Sequence, residues 1–537
     1  MNPVAVRAAT ALLRGLCRRR PQRFHEVLAQ PGLAQRLVLA RLVQGAATTE
    51  YGRLHGLRAG DDIDAFRAKL PLVRYEALAP FIARQRLEGS RILGWDKVGW
   101  YERTSGSSGP AKDIPYTVGL RHSFQSLFQI WAYDLLSHGF APRTGKLFFS
   151  ISAPTRSRDT EDPRRPAGRG DDSAYLSGLF RGLLQPFFAV PVKIARITGS
   201  EDFRDVLSTL LIACEGLELV SIWSPSYLIV LLEHFQTRRE RLLAALATGV
   251  SERQGIRFAF EPLRTERRTL LESAGIDWSR VWPRLQLISC WDAAAAERGA
   301  DYLRQRFPHT RVQGKGLLAT EAPVSVPLWG AAGAAPLVDE LLLEFEGEDG
   351  RLYLIDEIAV GACYQLIVSQ PGGLLRYRLG DWVKVTAPIG RTPGLVFAGR
   401  AQVADLVGEK LHEDWVNGIL RRCLPQARCA LLLPVQQEDG RGHYLLLTDA
   451  AIAPATAAVE AALGTGYHYR QARELGQLDT LQALTRPDML QRVREFFSAQ
   501  GMLAGDIKDQ TLLTDPAAAA RLVNWLARQP PATVNTA

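Results

Sequence analysis

Five short segments of this chain carry residue types that handle charged ligands. The first is Thr104-Ser105-Gly106-Ser107-Ser108-Gly109, followed by Lys112 and then Ile-Pro-Tyr-Thr. Small residues let a backbone bend around an anion and present N–H groups to it, while hydroxyls add donors and lysine adds charge. The GxxxxGK[ST] spacing of a Walker loop is absent, and the competing reading is a plain glycine–serine turn between a strand and a helix. The second segment is Gly314-Lys315-Gly316-Leu317-Leu318-Ala319-Thr320-Glu321. Taken alone it reads as a glycine-rich turn ending in a Thr-Glu helix cap. The third, Tyr377-Arg378-Leu379-Gly380-Asp381, puts a carboxylate at what reads on its own as a strand-end turn. The fourth is Gly399-Arg400 with Asp405, Gly408, Glu409 and Lys410, and the fifth is Gly505-Asp506-Ile507-Lys508, which alone could be a surface loop with a solvated lysine.

Lysine usage gives these segments modest support. Nine of the 65 basic residues are lysine, and four of the nine, Lys112, Lys315, Lys410 and Lys508, fall inside them. Lysine is a compact point charge where arginine is a planar fork, so a lysine kept in an arginine-rich chain can mark a place arginine cannot fill. Chance is the alternative.

Other chemistries find little footing. The cysteines at 17, 214, 290, 363, 423 and 429 form no CxxC pair, and the nine histidines form no HExxH or HxxxH cluster. A zinc hydrolase is therefore disfavoured. Reduced thiols in a cytoplasmic protein are the default, with none acting as a nucleophile. The net charge of +9 suggests an anionic partner, but the positive residues are scattered. No dense basic block with interleaved aromatics is present, so nucleic acid is not expected. No apolar run reaches the roughly 18 residues that a membrane helix requires.

Alternating strand-like and helical runs must position the five segments. Residues 1 to about 90 read as helical from their apolar spacing. The start is basic and free of acid before Glu26, either a transit peptide or, preferred here, an amphipathic helix capping the fold through Val4, Ala8, Leu12 and Leu16. The runs at 146–152, 219–223 and 284–291 read as strands alternating with helices, which argues for an α/β fold with largely parallel sheets. From Asp339 short strands separated by EDG and PGG turns predict an antiparallel meander or small distorted barrel. Beyond Arg400 two strands and two helices predict a small α+β domain, which gives an N-terminal body of 1–400 and a C-terminal one of 401–537. The polar stretch 155–173 predicts a mobile surface loop, and the tail from 530 predicts disorder.

The order of the five segments resembles the adenylate-forming superfamily of acyl-CoA synthetases, luciferases and peptide-synthetase adenylation domains. Within it the chain is most similar to the auxin-responsive (Gretchen Hagen three) acyl-acid amido synthetases of plants and their bacterial relatives. TEYGRLHG (49–56), LPLVRYEALAPFIARQ (70–85), SIWSPSYLIVLL (221–232) and CWDAAAAE (290–297) extend the resemblance. It implies a large N-terminal domain of helix-sandwiched sheets, a small hinged C-terminal domain, and an active site between them. Thr104–Gly109 and Lys112 would hold the ATP phosphates. Residues 314–319, including Lys315, Gly316, Leu317 and Ala319, would pack on adenine, with Thr320 on phosphate and Glu321 on Mg²⁺, a hard ion suited to a carboxylate. Asp381 would accept hydrogen bonds from the ribose hydroxyls. Arg400 would contact ribose or phosphate, and Lys410 and Lys508 are the alternatives for the charge on the transferring group. Gln402 stands where the commoner superfamily form has the hinge aspartate, which leaves the hinge residue open. The implied reaction joins a carboxylic acid to AMP and then to an amine. Transfer to a thiol of coenzyme A or a carrier protein, and a catalytically dead relative, are the competing readings. The acid, the acceptor, the acyl-pocket residues and the oligomeric state are not legible.

Overall fold

The computed structural model describes residues 3–89, 91–103, 112–149, 187–400, 403–407, 409–436, 442–450, 453–474, 477–502, 505 and 507–529. The glycine–serine loop at 104–109, the polar stretch at 155–173 and the tail from 530 lie outside the described residues.

The start of the chain is helical through Glu88. In its first helix, α1 (Pro3–Cys17), the expected inward stripe faces out: Val4, Leu12 and Leu16 are 69%, 55% and 54% exposed, while Val6 and Cys17 are buried. This helix carries apolar residues on both faces, so periodicity alone could not choose which one packs. The buried face lies against α2 (Val118–His138), a helix started by Thr117, whose hydroxyl accepts from the Leu120 N–H at 3.3 Å.

Four strands form an all-parallel sheet in sequence order: β1 (Lys146–Phe149), β2 (Leu217–Ser221), β3 (Leu287–Ser289) and β4 (Arg311–Gln313). The apolar runs of β1, β2 and β3 are buried on both faces, as parallel strands covered by helices must be, while β4 at the sheet edge exposes Arg311. The helix after β2 begins at Pro225, with Ser224 as its cap and proline in the first turn, where a missing N–H costs nothing.

The meander expected from Asp339 is part of a seven-stranded antiparallel sheet that begins earlier, with the strands Ser325–Pro327 and Ala334–Pro336. Its centre is the pair β5 (Tyr377–Ile389) and β6 (Thr392–Arg400). Just before β5, Arg376 is buried against Glu344 at 3.1 Å and donates to the Leu70 carbonyl at 2.6 Å, which ties the strand's entry to the helical start. Beyond β6, helix α3 (Glu413–Cys423) precedes a small sheet of Ala430–Gln436, Gly442–Thr448 and Gln482–Thr485. One face of that sheet builds its own core around Val416, Leu420, Tyr444 and Tyr469. Its other face, with Leu431 and Leu433, shares a core with Ile222, Tyr227 and Phe307 of the parallel-sheet region.

Candidate active site

The carboxyl ends of parallel strands are where an open α/β sheet leaves a crevice for ligands. Here the backbone pairing continues past the strand ends: Ile222 donates to Ser289 O at 2.9 Å, Trp291 to Trp223 O at 2.8 Å, and Cys290 to Gln313 O at 3.1 Å. Trp223 and Trp291 are thereby held side by side, with ring centroids 5.6 Å apart. Gly314 follows β4 so closely against Asp292 that any side chain there would collide with its carboxylate. Gly316 has φ +68°, and a Cβ would strike Ser325 O. These two glycines let the loop after β4 lie along the crevice.

The crevice is a cavity of about 430 Å³. Lys315, Gly316, Leu317 and Ala319 form one wall, Asp381 and Gly399 another, and Lys508 a third. Three segments separated by long stretches of chain therefore meet at one place. Asp381 is 2% exposed within β5, which removes the reading of a solvated strand-end turn. After Glu321 the chain enters the strand Ser325–Pro327, so the helix-cap reading of Thr-Glu fails as well.

Lys508 is placed by several contacts. Thr511 O accepts from Leu432 N at 2.9 Å and Leu513 N donates to Leu432 O at 2.9 Å, so the segment runs along the strand Ala430–Gln436. Asp509 accepts from Ser224 Oγ at 2.7 Å and from Ser226 Oγ, beside Arg494. Lys508 Nζ lies 5.8 Å from the Trp291 ring centre. Lys315, only 9% exposed, donates to Ser221 Oγ at 2.8 Å and lies 5.0 Å from the Trp223 ring centre.

The remaining residues of the five segments are placed less centrally. The backbone of Arg400 pairs in register with Asp381, next to Gly399. Thr320 is fixed through its carbonyl, which accepts from Tyr116 Oη at 2.9 Å. Glu321 Oε1 lies 3.5 Å from Tyr377 Oη, and burial followed by the Glu321 charge pushes that phenol far up, so it stays a neutral donor. Lys112 lies over the Tyr75 ring at 5.7 Å, outside the cavity wall. Lys410 is exposed at φ +49° and also stands outside that wall, whereas Glu409 beside it is buried and accepts from Leu406 N, Val407 N and Tyr444 Oη. Thr104, Ser105, Gly106, Ser107, Ser108 and Gly109 lie outside the described residues; the strands flanking them, Val98–Arg103 and Asp113–Thr117, pair antiparallel.

Four carboxylates on the cavity wall, Asp292, Glu413, Asp414 and Asp509, were not foreseen. Asp292 is pushed up by burial, against the pull of Arg304 3.1 Å away. Asp414, in the first turn of α3, presses against Gly399, and burial of its carboxyl together with Glu413 beside it pushes it up to about 6. Among the thiols, burial pushes Cys17 up to about 11 and Cys290 to about 12, so both stay protonated at neutral pH.

Comparison with known proteins settles the lineage. The GH3 family N-terminal domain matches residues 20–312, and the GH3 family central domain matches 339–400. The chain belongs to the GH3 family. It is 22% identical over 91% of its length and 90% of the relative's to the indole-3-acetic acid-amido synthetase GH3.8 of Oryza sativa subsp. indica. It is likewise 22% identical, over 71% of each chain, to the jasmonoyl–L-amino acid synthetase JAR6 of Nicotiana attenuata. In fold it is similar to the AtGH3.15 acyl acid amido synthetase in complex with 2,4-DB, with a TM-score of 0.78 at 18% identity over 98% of this chain and 97% of that one. A 2-hydroxyisobutyryl-CoA ligase shares the fold at a TM-score of 0.53, covering 93% and 91% of the two chains at 13% identity.

Sequence reasoning named the motif segments but missed Trp223, Trp291, Asp292, Glu413, Asp414 and Asp509. The first three stand just past β2 and β3 in SIWSPS and CWDA. The rule that sites gather at the carboxyl ends of parallel strands was the signal that could have found them.

Proposed function

We propose that this GH3 protein uses ATP to activate a carboxylic acid as its acyl-adenylate, releasing pyrophosphate, and then passes the acyl group to an amine, such as that of an amino acid, releasing AMP. The observation carrying this reading is the meeting of Lys315–Ala319, Asp381 and Lys508 on one cavity of about 430 Å³. A buried carboxylate, a glycine-rich wall and a lysine from the C-terminal segment suit the ribose, the base and the α-phosphate in turn.

The chain's part is positioning and charge stabilisation. Asp381 accepts from the ribose hydroxyls, and Gly316 and Leu317 pack on the base. Lys508 sits where negative charge grows on the α-phosphate as the carboxylate oxygen attacks and the bond to the β-phosphate breaks. Thr104–Gly109 and Lys112 belong to the phosphate-holding part of the reading. Glu321, steered by the Tyr377 hydroxyl, is chemically suited to hold Mg²⁺, which when bound offsets phosphate charge. In the second step the amine attacks the acyl carbon, AMP leaves, and the amine proton passes to solvent.

Residues 1–400 and 401–537 serve as the two bodies that close on the nucleotide. No helix among the described residues is long and apolar enough to cross a membrane. The described cysteines are all free thiols, in keeping with a cytoplasmic setting.

The test is carboxylate-dependent exchange of pyrophosphate into ATP, followed by mass spectrometry with amino-acid, amine and coenzyme A acceptors. Amide products support the reading, and thioester products transfer it to an acid–thiol ligase. Failure of the folded protein to bind ATP with Mg²⁺ removes it.

A further inference from the structure

A second cavity, of about 130 Å³, lies behind the first. α1, α2 and the ends of β1 and β2 line it and leave it partly open, and Phe128, Trp131, Phe140, Phe149, Phe187 and Trp223 give it an aromatic wall. Among the described residues, Lys315 is the one that lines both this cavity and the nucleotide cavity, and it is the one charged side chain on the apolar wall. Its ammonium is held in place by Ser221 Oγ at 2.8 Å and by the face of Trp223.

We infer that the apolar cavity takes the tail of the acid substrate and that Lys315 holds its carboxylate at the opening to the nucleotide site, so that the substrates are monocarboxylic acids with a tail of about one ring. This rests on the adenylation reading and deepens it. The resemblance placed Lys315 against adenine. Its burial and its Ser221 and Trp223 contacts place it at the acyl end instead.

The physical case has two parts. A carboxylate entering an apolar cavity must be paired, because an unpaired buried charge is costly. Lys315 supplies the one charged partner among the described lining residues, already oriented and largely withdrawn from water. The size of the cavity then limits the tail. A dry cavity of about 150 Å³ accommodates benzene, and this one is slightly smaller. A phenyl group or a short aliphatic chain fits, whereas a fused bicyclic ring does not. Among the described residues of the wall, a second carboxylate would find no cation beyond Lys315.

The experiment measures acid-dependent pyrophosphate exchange and, separately, acid binding without nucleotide by equilibrium dialysis. The probes are phenylacetate, hexanoate, indole-3-acetate, adipate and the neutral phenylacetamide. The parent is expected to prefer phenylacetate or hexanoate and to bind phenylacetamide poorly. Lys315→Met should raise the KM for the preferred acid by about ten- to a hundredfold, the range for one charge-assisted hydrogen bond, with the KM for ATP changed little. Lys315→Arg should recover part of that loss. Ala132→Phe, which fills the apolar cavity, should abolish phenylacetate binding while ATP still binds. An unchanged acid KM in Lys315→Met overturns the inference, as does a parent preference for indole-3-acetate or adipate, or no binding of either small acid. Binding of phenylacetate that depends on Lys315, with no exchange for any acid, leaves this assignment standing and overturns the adenylation reading instead.

Discussion

Asp381 and Arg400 stand opposite each other in the register of β5 and β6. Two motifs separated in sequence are thus neighbours across one hairpin. Gly399, at φ +125°, lets the second strand turn at that point with the Asp414 carboxylate packed against it. On the proposed reading, a hairpin that carries Asp381 for the ribose on one strand and Arg400 on the other would couple nucleotide binding to the start of the C-terminal segment.

Asp381→Ala is expected to weaken ATP binding by about one to two orders of magnitude, the effect of losing charge-assisted hydrogen bonds to a diol. Calorimetric titration checks this. Its control is 2′,3′-dideoxy-ATP, which should bind the parent as weakly as ATP binds the variant. Equal affinity of the parent for ATP and the dideoxy analogue removes Asp381 from the ribose.

Tyr377→Phe keeps the buried ring and removes the hydroxyl that lies 3.5 Å from Glu321. Partners that orient a metal ligand typically contribute about ten- to a hundredfold in metal affinity. The Mg²⁺ concentration for half-maximal exchange should rise by about tenfold, while saturating Mg²⁺ restores the rate. A fall in rate that Mg²⁺ does not rescue would assign the hydroxyl a different role.

The order of the motifs was readable through its resemblance to the adenylate-forming superfamily, and each motif rests on residue types that physics restricts: glycine where backbone must pass close, and a carboxylate or lysine where charge is met. Gly314 and Gly316 confirm that logic, since a side chain at either would collide. Phase and depth were not readable. Helix α1 is apolar on two faces, and only packing against α2 decides that Val6 and Cys17 turn in while Leu12 and Leu16 turn out. Lys315 and Lys410 look alike as lysines after glycine-rich sequence. Strand pairing buries the first between Ser221 and Trp223 and leaves the second exposed. Asp414 gave no signal, because it joins the cavity through Gly399 across a tertiary contact.

Glu340 ties the helical start to the antiparallel sheet, bound to Arg20 at 3.1 Å and Ser123 at 3.0 Å. Burial alone would raise its carboxyl, but His122 and Arg20 outweigh it and hold the group at about 2, against an ordinary value of 4.5. A depressed folded pKa contributes stability above the unfolded value, and that stability is lost as pH falls. The parent should therefore lose melting temperature between about pH 4.5 and 2, and Glu340→Gln should lose less across that window. At pH 7 the variant should melt about 2–4 °C lower. Identical pH profiles for the two proteins refute the assignment.

The two C-terminal lysines can be separated by kinetics. Lys508 lines the cavity of about 430 Å³ beside Trp291, and Asp509 next to it is gripped by Ser224 and Ser226. Lys410 is exposed outside that cavity. An interaction made only in the transition state lowers turnover and leaves ground-state binding alone. Lys508→Ala should slow adenylate formation by about two to three orders of magnitude, the effect of removing one charge-stabilising group. ATP affinity should hold, and amide formation from supplied acyl-adenylate should be largely spared, because activation has already occurred. Ser224→Ala with Ser226→Ala, which loosens Asp509, should reproduce the defect in weaker form. Lys410→Ala should leave the adenylation rate near the parent's. Single-turnover measurement of pyrophosphate release distinguishes these outcomes. If Lys508→Ala adenylates at the parent rate and Lys410→Ala does not, the charge on the α-phosphate is met by Lys410, in a second arrangement of the C-terminal segment that brings its exposed side chain into the cavity.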